Sequence, residues 1–287
     1  MVAPVHGEKV LAEAVAAYEA ALGDRLLAAY ALGSLAHGGF SAHVSDVDLG
    51  LIVADPPEPR DAERIQHIAD AQRRGGSPLH ERLSVFWGTP STLAREREGG
   101  RFPPLDRLDL LDNGRLLAGV DARAGVLRPT TEELVVAGAE FALQFLAGTG
   151  DAQSGALGSL RPAGQEAIEE LRAPQLLAGK GVRKVTKTVL FPVRFLYTAQ
   201  TGATGANGAA VAHYVRRRDP AAPRLVEAAL AWRDDPPSDL QAVTALLRRE
   251  LVPLYLEYID DHVARLEALG RDDLASAFVD WRRRLLA

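Results

Sequence analysis

The sequence predicts an α/β (α+β) chain, with a mixed sheet and flanking helices in its N-terminal part and a helical bundle domain in its C-terminal part. Three observations predict it. Apolar runs of strand length alternate with amphipathic stretches over the first 120 or so residues. An Arg-Pro-Thr break follows at 128–130. Beyond that break nearly every segment repeats its apolar residues with a helical period. The domains expected are therefore 1–128 and 129–287.

Taken in order, residues 9–22 are amphipathic and read as a helix, and 26–32 and 47–53 are apolar runs that read as strands. A proline-rich break at 56–59 precedes a helical pattern at 61–74, a GGSP loop at 75–78 and an alternating strand at 81–87. The segment 103–120 reads as a short helix, a stop at Gly114 and an apolar extended run. In the second half, helices are expected at 131–146, 164–171, 181–201, 207–217, 223–233, 238–269 and 272–286.

Composition narrows the chemistry. A hydrophobic fraction of 47% suits a globular protein with proper cores. No cysteine is present, which excludes disulfide frameworks, thiolate metal sites and cysteine nucleophiles. A net charge of −5 at pH 7 speaks against a long nucleic acid as partner. No apolar run reaches the 18 or so residues of a membrane span, and residues 1–10 lack the order of a secretory signal, so a cytoplasmic protein without a membrane partner is expected.

The run 33–49, GSLAHGGFSAHVSDVDL, concentrates the site chemistry. Asp46 and Asp48 stand two apart at the start of an apolar strand, and period-2 geometry sends both carboxylates to one side of the sheet. Carboxylates held together repel unless a cation intervenes, and magnesium favours a few carboxylates plus phosphate oxygens. Gly33 and Ser34 follow the first strand at a strand-to-helix turn, where backbone amides can hold phosphate oxygens. The loop between, with Gly38, Gly39 and Ser45, is small enough for a triphosphate to approach its backbone. A hydroxyl acceptor also needs a base, normally from an adjacent strand. Between residues 65 and 93 the acids are Asp70, within a helical pattern, and Glu81, which opens the alternating run ERLSVFW with Leu83, Val85 and Trp87 on its own face. Glu81 is the better candidate. Lys180, Lys184 and Lys187 follow i, i+4, i+7 spacing and are expected to share a helix face, with Arg194 two turns along and Pro192 as a possible kink between. That stripe suits phosphates, an anionic acceptor or plain solvent.

These residues resemble the nucleotidyltransferase superfamily, and more closely the adenylyltransferases that modify streptomycin and spectinomycin. The order Gly33-Ser34, Ser45-Asp46-Val47-Asp48, Glu81 is similar to theirs, and 193–202, VRFLYTAQTG, is similar to their arginine-bearing helix. The likeness spans about 26–232. It implies that Asp46 and Asp48 bind magnesium, two ions being expected, together with ATP. It further implies that Ser34 and Ser45 contact phosphate, that Glu81 is the base and that Arg194 helps bind the triphosphate. Lys184, Lys187 and Asn207 join the expected nucleotide-binding set with Gly33. Several positions depart from the family. Asn207 stands where a nucleotide-contacting lysine is expected, Trp232 where a tyrosine is, and Lys184 where a drug-binding aspartate is. No tryptophan falls between about 95 and 121. Streptomycin is therefore disfavoured as acceptor.

The expected function is metal-dependent transfer of an NMP, AMP from ATP, to a hydroxyl of an aminoglycoside- or aminocyclitol-like antibiotic. The alternatives are a nucleotidyltransferase acting on a protein or a tRNA, and a nucleotide-binding regulator without catalysis.

Overall fold

The computed structural model describes residues 3–95, 99–149 and 164–287. Residues 1–2, 96–98 and 150–163, over which the two expected domains also run, lie outside the described residues. The chain divides into two compact units, Met1–Pro129 and Thr130–Ala287.

The first unit opens with helix α1 (Ala3–Leu22), which leads to strand β1 (Leu26–Leu32), a single-turn helix α2 (Gly33–His37) and strand β2 (Val47–Val53). Helices α3 (Asp61–Arg73) and α4 (Pro78–Glu81) precede strand β3 (Leu83–Gly88). Helices α5 (Pro90–Leu93) and α6 (Pro104–Asn113) precede strand β4 (Arg115–Gly119). The four strands form one mixed sheet in the order β3-β2-β1-β4. β1 runs antiparallel to both β2 and β4, whereas β2 and β3 are parallel.

β3 corrects the expected strand at 81–87. Ser77 accepts a hydrogen bond from the His80 N–H and Pro78 holds the first helical position, a combination that starts a helix. Glu81 therefore ends α4 and is exposed, and the strand begins only at Leu83.

Period-2 alternation gives the sheet two buried faces. On one, Ala29, Ala31, Val47, Leu49, Leu51, Leu83 and Val85 pack with Val10, Leu11, Ala14 and Tyr18 of α1 and Ile65 and Ala69 of α3. On the other, Tyr30, Leu32, Ile52 and Phe86 pack with Leu93 and with Leu110 of α6. With helices on both faces, β1 and β2 are almost wholly apolar and read as continuous hydrophobic runs.

All described elements of the second unit are helical: α7 (Thr131–Phe145), α8 (Gln165–Arg172), α9 (Pro174–Gly179), α10 (Val182–Thr201), α11 (Asn207–Val215), α12 (Pro223–Ala231), α13 (Leu240–Ala268) and α14 (Asp272–Leu286). α9 was not expected; Pro174 starts it at a position where a missing N–H costs nothing. α10 is a single helix through Pro192, so no break separates Lys187 from Arg194. α13 supplies Leu247, Leu251, Leu254, Tyr255, Tyr258 and Ile259 to the core, and the Tyr255 hydroxyl donates to the Thr188 carbonyl of α10 at 2.9 Å. Among the described residues no helix is long and apolar enough to cross a membrane.

Candidate active site

The sheet register assembles one end of the first unit. Leu32, the last residue of β1, stands opposite Asp48 of β2, and Asp48 stands opposite Ser84 of β3. Asp48 is flanked along β2 by Val47 and Leu49, which pack toward α1 and α3, so its side chain lies on the opposite face with Leu32 and Ile52. Asp46 and Asp48 are both half-buried.

Gly33 immediately follows this row. Its φ is +60°, the left-handed region that favours glycine, and a Cβ built there would overlap Asp48 Oδ2. The Asp48 carboxylate thus rests in space that exists only because residue 33 has no side chain. That cradle, with a second carboxylate two residues before it, fits the hard-oxygen preference of magnesium. Among the described residues no group of three or more His, Cys, Asp or Glu side chains that could hold a metal ion forms.

The Gly33 N–H is engaged by protein: it donates to Asp109 Oδ2 of α6 at 2.5 Å. In this structure the amide expected to meet phosphate is thus turned toward Asp109. Ser34, in the first turn of α2, is half-buried. Ser45 is buried, and its hydroxyl accepts from the Ser41 N–H at 3.0 Å, closing the 41–45 turn that leads into Asp46.

Glu81 and Asp46 lie at the same end of the sheet, because β2 and β3 are parallel and the Val47 N–H donates to the Arg82 carbonyl at 3.1 Å. Leu83 and Val85, expected on the face of Glu81, point to the α1 and α3 side, away from Asp48. The β3 residue that shares both register and face with Asp48 is Ser84. Sequence reading missed it, although a lone polar residue between two buried aliphatics marks the opposite face of the strand.

In the second unit the lysine stripe is resolved into parts. Lys180 lies outside α10, between Gly179 and Gly181, and the Gly181 φ of +86° marks the turn. Lys180 pairs with Glu166 at 2.9 Å and with Glu170, and Lys184 pairs with Glu170 at 2.9 Å. Burial pushes the Glu170 carboxyl up, but the hydrogen bonds from the two lysines outweigh it and hold the group below the usual range. Lys184 therefore carries a compensated charge. Lys187 and Arg194 instead flank one ring, at 5.9 Å and 5.4 Å from the Phe191 centroid. Arg194 Nε also donates to the Gly205 carbonyl at 2.5 Å, which ties α10 to the loop just before Asn207, the first residue of α11.

No protein-family profile and no curated protein sequence matches this chain. Among solved structures, it is similar to the crystal structure of spectinomycin adenyltransferase AAD(9) from Enterococcus faecialis with ATP and spectinomycin. The TM-score is 0.53 with 11% sequence identity, over 85% of this chain and 98% of that chain. At that identity the likeness shows the fold: a mixed sheet with flanking helices followed by a helical region, shared with a spectinomycin adenyltransferase.

Proposed function

We propose that this chain is a metal-dependent nucleotidyltransferase that moves AMP from ATP to a hydroxyl of a small aminocyclitol- or aminoglycoside-like antibiotic. The observation that carries the proposal is the Asp48 carboxylate seated against the Cβ-less Gly33, with Asp46 two residues before it at the same sheet end. The shared fold supports it, since the similar structure is an adenyltransferase described with ATP and spectinomycin.

Asp46 and Asp48 would hold magnesium, which supplies charge stabilisation to the phosphate oxygens when bound. Ser34 and Ser45 lie on the two chain segments bordering these carboxylates and are proposed to contact phosphate. Lys187, Arg194 and Asn207 are the proposed nucleotide contacts of the helical region, with Phe191 as an aromatic surface between the two cations. Lys184 joins them only when it releases Glu170. The acceptor oxygen forms a bond to the α-phosphorus, the bond from that phosphorus to pyrophosphate breaks, and Glu81 takes the hydroxyl proton.

One observation favours a second reading, a nucleotide-binding regulator without catalysis: the strand position in register with Asp48 holds Ser84 rather than a carboxylate. Incubation with magnesium, each labelled NTP and a panel of aminocyclitols separates the two. Pyrophosphate release with a nucleotidyl mass added to the acceptor supports the transferase; binding without release supports the regulator.

A further inference from the structure

We infer that Asp109 is a positioning residue for the proposed metal-nucleotide site, holding the Gly33 turn in the one conformation that gives the Asp48 carboxylate its seat. The inference rests on the nucleotidyl-transfer reading of Asp46 and Asp48 and adds a residue to it.

Gly33 is held from two sides. Its N–H donates to Asp109 Oδ2 at 2.5 Å, and the other Asp109 oxygen accepts from Asn113 Nδ2, one helical turn on, at 2.9 Å. Asp109 is only 7% exposed, on a helix that packs Leu110 into the sheet face shared by Leu32, so the carboxylate is a fixed feature of the core and not a mobile surface acid. On its other side, Gly33 meets Asp48 Oδ2 where a side chain would begin. Asp109 touches the backbone and Asp48 fills the missing Cβ, so the two acids are linked through a single residue. Without Asp109 a half-buried amide loses its acceptor, and the left-handed turn loses the hydrogen bond that holds it. Asp48 then loses the surface that fixes its carboxylate. The contact spans 76 residues of chain and joins helix to strand end, which is how outer hydrogen bonds orient ligands elsewhere.

The test compares Asp109→Ala, Asp109→Asn and, as a control on the same helix, Asp112→Asn, whose native carboxylate bonds Arg128 instead. Two readouts are taken: Mn2+ binding in the presence of ATP by electron paramagnetic resonance, and the Gly33 amide and Asp48 carboxyl signals by NMR. Asp109→Ala is expected to move the Gly33 signal upfield, shift the Asp48 carboxyl signal and weaken Mn2+–ATP binding by about tenfold or more. Asp109→Asn keeps an acceptor for the amide and is expected to restore most of the binding, and Asp112→Asn to match the wild type. Should Asp109→Ala not fold, Asn113→Ala releases the second Asp109 oxygen and is expected to move the same signals by less. Unmoved Gly33 and Asp48 signals in Asp109→Ala, or an Asn variant as weak as the Ala variant, overturn the positioning role. A wild-type protein that binds no Mn2+–ATP sinks the nucleotidyl-transfer reading itself, whichever way the Gly33 signal behaves.

Discussion

Gly33 shows how a single atom's absence can make room for a carboxylate. An alanine there would hold a left-handed backbone at a cost of about 1–2 kcal/mol and would drive its Cβ into Asp48 Oδ2. Gly33→Ala is therefore expected to lower the urea midpoint modestly and to abolish Mn2+–ATP binding; unchanged binding would detach Asp48 from the metal. The base is a separate question. Glu81 shares the sheet end with Asp46 but sits at the end of α4, so Glu81→Gln discriminates between base and bystander. A base predicts a fall in turnover of about 10²–10⁴-fold and loss of the acidic limb of the pH–rate profile. A bystander leaves both unchanged. The Asp-Val-Asp spacing was legible in the sequence because strand parity is a local rule. Asp109 was not, since nothing within a few residues of it reports an amide 76 positions away.

At the scale of elements, the strands β1 and β2 could be read directly, because burial on both faces writes an unbroken apolar run. The order β3-β2-β1-β4 could not, since pairing and register depend on which edges meet. Element starts proved the weakest part of the sequence reading: Ser77-Pro78 is a helix-initiating signal that the alternation of 81–87 overrode, and it moved Glu81 off the strand. The Gly179-Lys180-Gly181 segment similarly cut a uniform lysine period, because glycine on either side ends one helix and admits the turn into the next. α13 and α14 carry a testable consequence of their own packing. His262 is fully buried; its ring stacks on Phe278 at 5.9 Å and lies 4.3 Å from the Tyr258 ring. Burial pushes its imidazole down to about 4; Asp261, with Oδ2 at 3.5 Å from Nδ1, and the Tyr258 backbone oppose the shift, and Arg265 adds to it. The folded state thus keeps the ring neutral while the unfolded chain protonates near 6.5. Stability from this group is present above that pH and is lost as pH falls toward 4. Between pH 7 and pH 5 the expected loss is about 2 kcal/mol. Urea titrations of the wild type and His262→Phe check it: the variant should lose less stability over this range, and an equal slope would show that His262 titrates alike in the folded and unfolded chain.

For the whole molecule, the mixed sheet and helical region were foreseeable from the change in hydrophobic period near residue 128, and the similar structure shares that fold. The acceptor was not foreseeable, because the positions that depart from the pattern of the resembled family, Lys184 and Asn207 within helices and Trp232 just past the end of one, belong to segments whose periodicity is set by packing rather than by ligand. A ligand that binds only the folded chain raises stability by RT ln(1 + [L]/Kd), about 2.7 kcal/mol at a hundredfold excess over Kd. Magnesium with ATP should therefore raise the melting temperature of the wild type. Asp46→Asn and Asp48→Asn, both at half-buried positions, should melt close to the wild type without ligand and show little of that rise. The most direct test of metal-dependent nucleotidyl transfer is the mass of an aminocyclitol acceptor after incubation with the protein, magnesium and ATP. An added adenylyl group with the wild type, and none with Asp46→Asn or Asp48→Asn, is the predicted result; adduct formation that persists in both variants, or that proceeds equally with the metal chelated, would contradict it.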